Sequence, residues 1–380
     1  MAVRAAALRY VAEDAPTGYG DAADRLVRAV RAAGVRVEYR GWSATHAGEA
    51  PELRPFTRDE HPRERAEPGA PTVAHLVPEY YPLVRGVLDG GPFVAHTVWE
   101  TDRIPRHWPE LLNATDLVIV PTQWNRQVFV DGGVDARVAV VPHVACEPVA
   151  GDRGNSLDLP DDVTVFYSIG RWDERKAMFH TVRAFLDAFT GNDPVMLVVK
   201  TGVRIEMPPV EQWGASHPMA WTTGWQVAHL VSGYRNPARI RLETGRWTDE
   251  QIAGLHERGD CYVSLARGEG WGIGAFDACA YGNPVIATGW GGPLEYLDDR
   301  HACLVRSRLV PVEHVALASY STDQRWAEPD LRHAVQHMRT VASDLDTARA
   351  RAAPLRARVL RDYAPASVAK RFIDALSTVT

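Results

Sequence analysis

The chain is poor in cysteine, lacks any long apolar run and carries no strong excess of one charge, and each absence removes a class of protein. Cys146, Cys261, Cys279 and Cys303 are the four cysteines of 380 residues. They are widely spaced and form no CxxC pair or zinc-ligand pattern. A disulfide framework and a zinc module are therefore not expected, whereas buried reduced thiols in a cytoplasmic protein are. No stretch reaches the roughly 18 apolar residues expected of a spanning helix. The opening residues, Met1 to Ala5, lack the layout of a secretory signal. With 42 basic and 48 acidic residues the net charge is −6, so no nucleic-acid partner is expected. The full GxGxxG fingerprint of dinucleotide binding is missing too: Gly18-Tyr19-Gly20 is followed by Ala23 where the third glycine would stand. No internal repeat is visible.

What remains is the composition of a globular enzyme, 46% hydrophobic and 24% charged, with a length that suits two domains. Strand and helix patterns alternate nearly from end to end, which marks an α/β chain. Ala5 to Val11 reads as the first strand. A Gly18–Gly20 turn follows, then a helix from Asp21 to Ala33 with Leu26, Val27 and Val30 on one face, capped by Gly34. Residues 43–70 hold Pro51, Pro55, Pro62 and Pro68 with balanced charges and read as a surface loop. Arg25, Arg28 and Arg31 on the preceding helix suggest at most a peripheral membrane contact. Strands at Thr72 to Val77, Phe93 to Val98, Leu117 to Val120 and Val138 to Val141 continue a first sheet. Residues 147–162, rich in Pro, Gly and Asp, read as an interdomain linker. Thr248 and Gln251 have the spacing of a capping box. Asp344 and Asp346 read as solvated positions of a helix, not as a metal site.

Two segments carry chemistry. The first starts with an apolar, β-branched run from Val163 to Ile169, read as a buried strand that Gly170 ends. A helical pattern from Lys176 to Phe189 follows, with Val182, Phe185, Leu186 and Phe189 on one face. Arg171 and Lys176 thus stand where a strand turns into a helix. A helix N-terminus already favours anions, and two fixed cations beside it suit a diphosphate. The second segment follows the strand Cys261 to Leu265. Gly268, Gly270, Gly272 and Gly274 form a loop that holds Glu269, and Asp277 lies about one turn into a short helix from Ala275 to Tyr281. Trp271 and Ile273 belong to this loop. After the strand Val285 to Thr288, Gly291-Gly292 adds another turn with N–H groups for an anion. Lys200 ends the strand Val195 to Lys200. Carboxylates for hydroxyls on either side of cations for a diphosphate describe a site for a nucleotide sugar.

At these residues the chain resembles the nucleotide-sugar-dependent glycosyltransferases of family 4 (glycosyl transferases group 1), retaining enzymes with the GT-B fold. The match rests on Gly170-Arg171-x4-Lys176, Glu269-x7-Asp277 and Gly291-Gly292-x2-Glu295. Stretches at Thr97 to Pro105, Val120 to Asn125 and Val141 to His143 suggest a subgroup, and Arg325 to Asp330 looks like a feature of bacterial members. The resemblance implies two Rossmann-like domains facing across a cleft, the last helix crossing back to the first. Residues 1–150 with about 361–380 would form the acceptor side, and 151–360 the donor side. It implies Arg171, Lys176 and Glu269, with His96, as catalytic groups. Gly270, Trp271, Gly272, Ile273, Gly274, Asp277, Lys200, Gly291 and Gly292 would contact the donor; Gly18, Tyr19, Glu79 and Glu100 would contact the acceptor. Asp277 departs from the family, which has Glu there and uses it on the ribose. The expected reaction is metal-independent front-face transfer to a hydroxyl or amine, with no cofactor beyond the nucleotide-diphosphate sugar. A small-molecule, lipid-linked or glycan acceptor is open, in carbohydrate or natural-product biosynthesis. A sugar-nucleotide epimerase of the same fold and a catalytically silent nucleotide-sugar-binding protein are the alternatives.

Overall fold

The computed structural model describes residues 7–13, 17–43, 52–55, 65–88, 90–148, 157–205, 221–313 and 319–379. The chain divides into two compact units, one of Met1–Trp99, Arg103–Cys146 and Arg361–Thr380, the other of Glu100–Asp102 and Glu147–Leu360. Residues 149–156, half of the 147–162 linker reading, lie outside the described residues.

Unit 1 is built from β1 (Ala7–Glu13), α1 (Gly18–Ala32), β2 (Arg36–Ser43), β3 (Glu52–Pro55), β4 (Thr72–His75), α2 (Tyr81–Gly86), β5 (Phe93–His96), α3 (Trp108–Asn113), β6 (Leu117–Val120), α4 (Gln123–Asp131) and β7 (Val138–Val140). Its sheet has the order β3-β2-β1-β4-β5-β6-β7. All pairings are parallel except β2 with β3. Two sequence expectations need correction here. Glu52–Pro55, expected within a loop, is an antiparallel edge strand; an edge tolerates Pro55 because one side of it needs no donor. The Gly18–Gly20 turn is instead the first turn of α1. Thr17 takes the N-cap geometry and its hydroxyl accepts from the Gly20 N–H, which offsets the poor helix propensity of the glycines.

Unit 2 continues with β8 (Thr164–Ile169), α5 (Met178–Ala188), β9 (Val195–Lys200), α6 (Thr223–Ser232), β10 (Arg239–Glu243), α7 (Asp249–Arg258), β11 (Cys261–Ser264), α8 (Ile273–Tyr281), β12 (Val285–Thr288), β13 (Cys303–Val305), β14 (Ser307–Pro311), β15 (Arg325–Pro329), α9 (Leu331–Ser343) and α10 (Leu345–Asp362). The last helix, α11 (Pro365–Leu376), belongs to unit 1 and packs on α1. Six parallel strands run β10-β9-β8-β11-β12-β13, and β14 pairs with β15 in a separate antiparallel ribbon. Val182, Phe185, Leu186 and Phe189 are buried in one core with Phe166, Leu197 and Val263. Each such side chain contributes about 1.5–3 kcal/mol by leaving water. Thr248 and Gln251 form the capping box of α7. Asp344 sits in the break between α9 and α10, where its carboxylate accepts from the N–H and hydroxyl of Thr347. Cys261, Cys279 and Cys303 are buried and Cys146 is partly exposed, all four as thiols. Among the described residues no helix is long and apolar enough to cross a membrane.

Candidate active site

From β8 the chain steps outward to β9 and β10, then returns to β11 on the other side of β8. The loops after β8 and β11 therefore leave in opposite directions, and a crevice opens between the carboxyl ends of these strands. A cavity occupies that place. It is lined by Ile169 from the end of β8, Tyr262 and Ser264 from β11, Thr288 from the end of β12, Gly274 from the start of α8, and Lys176, Glu269, Gly272, Trp290 and Pro293 from the connecting turns. Thr288 is 5% exposed, and its buried hydroxyl has no hydrogen-bond partner among the described residues. A buried hydroxyl without a partner costs stability, so its place on a polar cavity points to a group that binds there.

The β8–α5 junction aims Lys176. Asp173, itself buried, accepts from the Lys176 N–H at 2.6 Å through Oδ1 and from the Ala177 N–H at 2.9 Å through its backbone oxygen. Ala177 takes φ 46° and ψ 42° as the N-cap of α5, a left-handed conformation that costs a non-glycine residue about 1–2 kcal/mol. The strained turn sends the Lys176 ammonium to Glu269, with Nζ 2.6 Å from Oε1. Arg171 is placed differently: its guanidinium is half exposed and lies 3.2 Å from Asp173 Oδ2. Lys176 and Glu269 share the cavity; Arg171 is not among its lining residues.

Glu269 is held by a residue that the spacing did not single out. Arg175 is 7% exposed and donates to the Gly268 carbonyl at 2.7 Å and to Glu269 Oε2 at 3.4 Å. Its other terminal nitrogen lies 3.7 Å from Glu100 Oε1. Burial alone would raise the Glu269 carboxyl, but the charges of Lys176 and Arg175, with their hydrogen bonds, hold it below the ordinary glutamate value. The only advance signal was a third cation beside Lys176; nothing local told which carboxylate it would meet.

The glycines of the loop have internal reasons to be glycine. A Cβ on Gly268 would sit 2.2 Å from the Glu100 carbonyl oxygen, and one on Gly274 would sit 2.4 Å from the Tyr262 hydroxyl. A Cβ on Gly292 would sit 1.9 Å from the Gly270 carbonyl oxygen, while the Gly292 N–H donates to Glu269 O at 2.9 Å. The Gly291 turn is thus packed on the Glu269 and Gly270 carbonyls. Of the other expected donor contacts, Trp271 is buried against Phe276 and Tyr296. Ile273 and Gly274 open α8, two residues earlier than expected. Asp277 is 5% exposed within α8 and is not a lining residue of the cavity. Its charge still reaches Tyr262: burial first, then Glu269, then Asp277 push that phenol up. Lys200 ends β9 with its ammonium donating to Thr201 O at 3.1 Å and facing the Trp247 ring at 5.6 Å.

The expected acceptor-side residues divide. Glu100 belongs to unit 2, through Arg175 and a hydrogen bond from the Tyr320 hydroxyl at 3.4 Å. Gly18 is exposed at the start of α1. Tyr19 shares a hydrogen bond with the Thr97 hydroxyl at 3.1 Å and its ring lies 5.3 Å from His75. Glu79 accepts from His107 and from the Trp108 indole N–H, at 2.8 and 2.9 Å. His96 is 1% exposed and stacks on His75, with ring centroids 3.8 Å apart. Both imidazoles meet the Tyr10 hydroxyl through Nδ1, at 2.9 Å for His75 and 3.0 Å for His96. A phenol has one proton, so for both bonds to form it donates to one ring and accepts from the other. The two rings are then opposite neutral tautomers. Burial, and then the neighbouring imidazoles, hold both well below the ordinary histidine value.

Comparison with known proteins gives the fold and the class. The fold is GT-B, and the chain is a glycosyltransferase. Residues 155–310, which contain the whole crevice, match the family model described as Glycosyl transferases group 1. Among solved structures, sucrose-phosphate synthase from Thermosynechococcus elongatus aligns over 98% of both chains at 17% identity, with a TM-score of 0.69. HepE from Anabaena in complex with UDP-glucose aligns over 98% of this chain and 99% of its own at 12% identity, with a TM-score of 0.66. A UDP-forming α,α-trehalose-phosphate synthase from Burkholderia xenovorans aligns over the same shares at 12% identity and a TM-score of 0.65. No curated protein matches the sequence.

Proposed function

We propose that the chain transfers a sugar from a nucleotide-diphosphate sugar to an acceptor hydroxyl or amine with retention of anomeric configuration. The observation that carries this reading is the pair of Lys176 and Glu269 on one cavity at the switch point of the unit 2 sheet. As the glycosidic bond breaks, negative charge grows on the leaving diphosphate. Lys176 neutralises it, aided by the helix start behind it and by Arg171, which an anion draws from Asp173. Glu269 accepts from the sugar hydroxyls. A carboxylate that stays engaged by the buried Arg175 guanidinium is a weak nucleophile, which favours front-face substitution over a covalent glycosyl-enzyme. No resident metal or cofactor enters the scheme. His96 and Tyr19 serve the acceptor. The neighbours in the fold that carry UDP-glucose or form UDP make a UDP-sugar the first donor to try, with a cytoplasmic small-molecule, lipid-linked or glycan acceptor.

A thermal-shift screen against UDP-, GDP-, ADP- and dTDP-sugars selects the donor, since saturation at a hundredfold Kd stabilises the native state by about 2.7 kcal/mol. Proton NMR of the product then tests the reaction. An α-configured donor is expected to give an α-linked product, unaffected by EDTA. A β-linked product contradicts retention, and conversion to a second nucleotide sugar contradicts transfer.

A further inference from the structure

We propose that Arg175 is a positioning residue that frees Lys176 for the donor by keeping Glu269 paired and in place. This rests on the assignment of Lys176 and Glu269 above. Four charged groups form one chain in unit 2: Lys176, Glu269, Arg175 and Glu100, with separations of 2.6, 3.4 and 3.7 Å. When Lys176 turns toward a diphosphate, Glu269 loses its nearer counter-ion inside a largely desolvated site. An unpaired carboxylate there is costly. Among the described residues Arg175 is the remaining cation in contact with Glu269, and it does not have to move. Its guanidinium is also anchored by the Gly268 carbonyl at 2.7 Å, so it fixes the Glu269 backbone and carboxylate together.

The anchoring extends outward from Arg175. The Arg175 carbonyl accepts from the Arg267 N–H at 2.7 Å. Glu100 is itself held: its carbonyl lies against Gly268, and Asp102, two residues on, takes two hydrogen bonds from Arg325 of β15, at 2.6 and 2.8 Å. Without Arg175, Glu269 and the diphosphate would compete for one ammonium. A lysine in its place restores charge but not a planar fork that reaches three acceptors.

The test is the turnover of UDP-glucose to glucose and UDP, compared across variants that melt as the parent does. Arg175→Gln is expected to lower kcat about tenfold with KM within about threefold, and Arg175→Lys to recover part of the loss. In a Glu269→Gln background the same change should have little effect, because a positioning residue acts through its target. The acidic limb of kcat reads the Glu269 carboxyl, which burial raises and Lys176 and Arg175 lower; the Tyr262 and Tyr296 phenols, which burial and then Glu269 and Asp277 push up, stay neutral across that limb. Arg175→Gln should move that limb to higher pH. Glu100→Gln, which removes the competing carboxylate, should move it to lower pH, and this variant keeps the test alive if Arg175→Gln does not fold. Limbs that do not move, or an equal loss of kcat in the Glu269→Gln background, overturn the proposal. Full loss in Lys176→Ala with wild-type behaviour in Arg175→Gln sinks this inference alone. Retained turnover in Lys176→Ala sinks the site assignment itself.

Discussion

At the carboxyl ends of β8 and β11, unit 2 gathers full charges: Lys176 and Arg175 around Glu269, with Glu100 behind. At the ends of β4 and β5, unit 1 gathers His75 and His96 around one phenol, with His143 nearby. Both sheets are doubly wound, yet one strand-end cluster is ionic and the other neutral. The first kind suits a ligand that changes its charge during the reaction, as a departing diphosphate does. The second suits a ligand that presents hydroxyls, since a neutral imidazole both gives and accepts a hydrogen bond. Breaking them also differs. Losing one partner of a buried ion pair costs about 3–5 kcal/mol, while leaving a neutral buried group unsatisfied costs about 1–3 kcal/mol.

The harshest way to break the comparison is Gly292→Ala. Its methyl group would run into the Gly270 and Glu269 carbonyls, backbone that must move if it is to fit. We expect a loss of about 3 kcal/mol or more, measured by urea unfolding, together with loss of turnover. A variant of parental stability would show that the Gly291 turn is not packed on the Glu269 loop as described.

A milder probe sharpens it, because pH acts on the two clusters in different windows. His75 and His96 have lowered pKa values in the native state, so below about pH 6.5 the unfolded chain binds protons that the folded chain refuses. Their contribution is complete above the unfolded pKa and falls as pH drops, approaching about 1.4 kcal/mol per pH unit for each imidazole. Glu269, also lowered, contributes above its unfolded value near 4.3 and loses that contribution only as pH falls below it. Between pH 6.5 and 5 the amides of β4 and β5 should therefore lose more protection against hydrogen exchange, after correction for intrinsic rates, than those of β8 and β11, whose unit holds the less buried His337 as a lowered imidazole. Equal losses in both would mean that the imidazoles are not buried and neutral as a pair.

This contrast also separates what the sequence made legible from what it hid. Strand, glycine turn and helix entrance are local, so the position of Lys176 and of the Glu269 loop could be read from neighbours along the chain, as could the Thr248–Gln251 box. Arg175 meets Glu269 across 94 positions, and Tyr10 meets His96 across 86. Such pairings are set by strand order, which periodicity does not encode. The glycines were legible as a loop, but the Tyr262 hydroxyl and the Glu100 carbonyl that demand them were not. Thr17 was the overlooked signal at α1: read as an N-cap, it puts Gly18–Gly20 inside the helix.

The most direct measurement is single-turnover cleavage of a bound nucleotide sugar by Lys176→Ala against the parent chain. The account predicts a fall of a hundredfold or more in the rate of the chemical step, on the order of 2.7–4 kcal/mol for one lost oxyanion contact. A rate within about threefold of the parent, with the donor still bound, would contradict it.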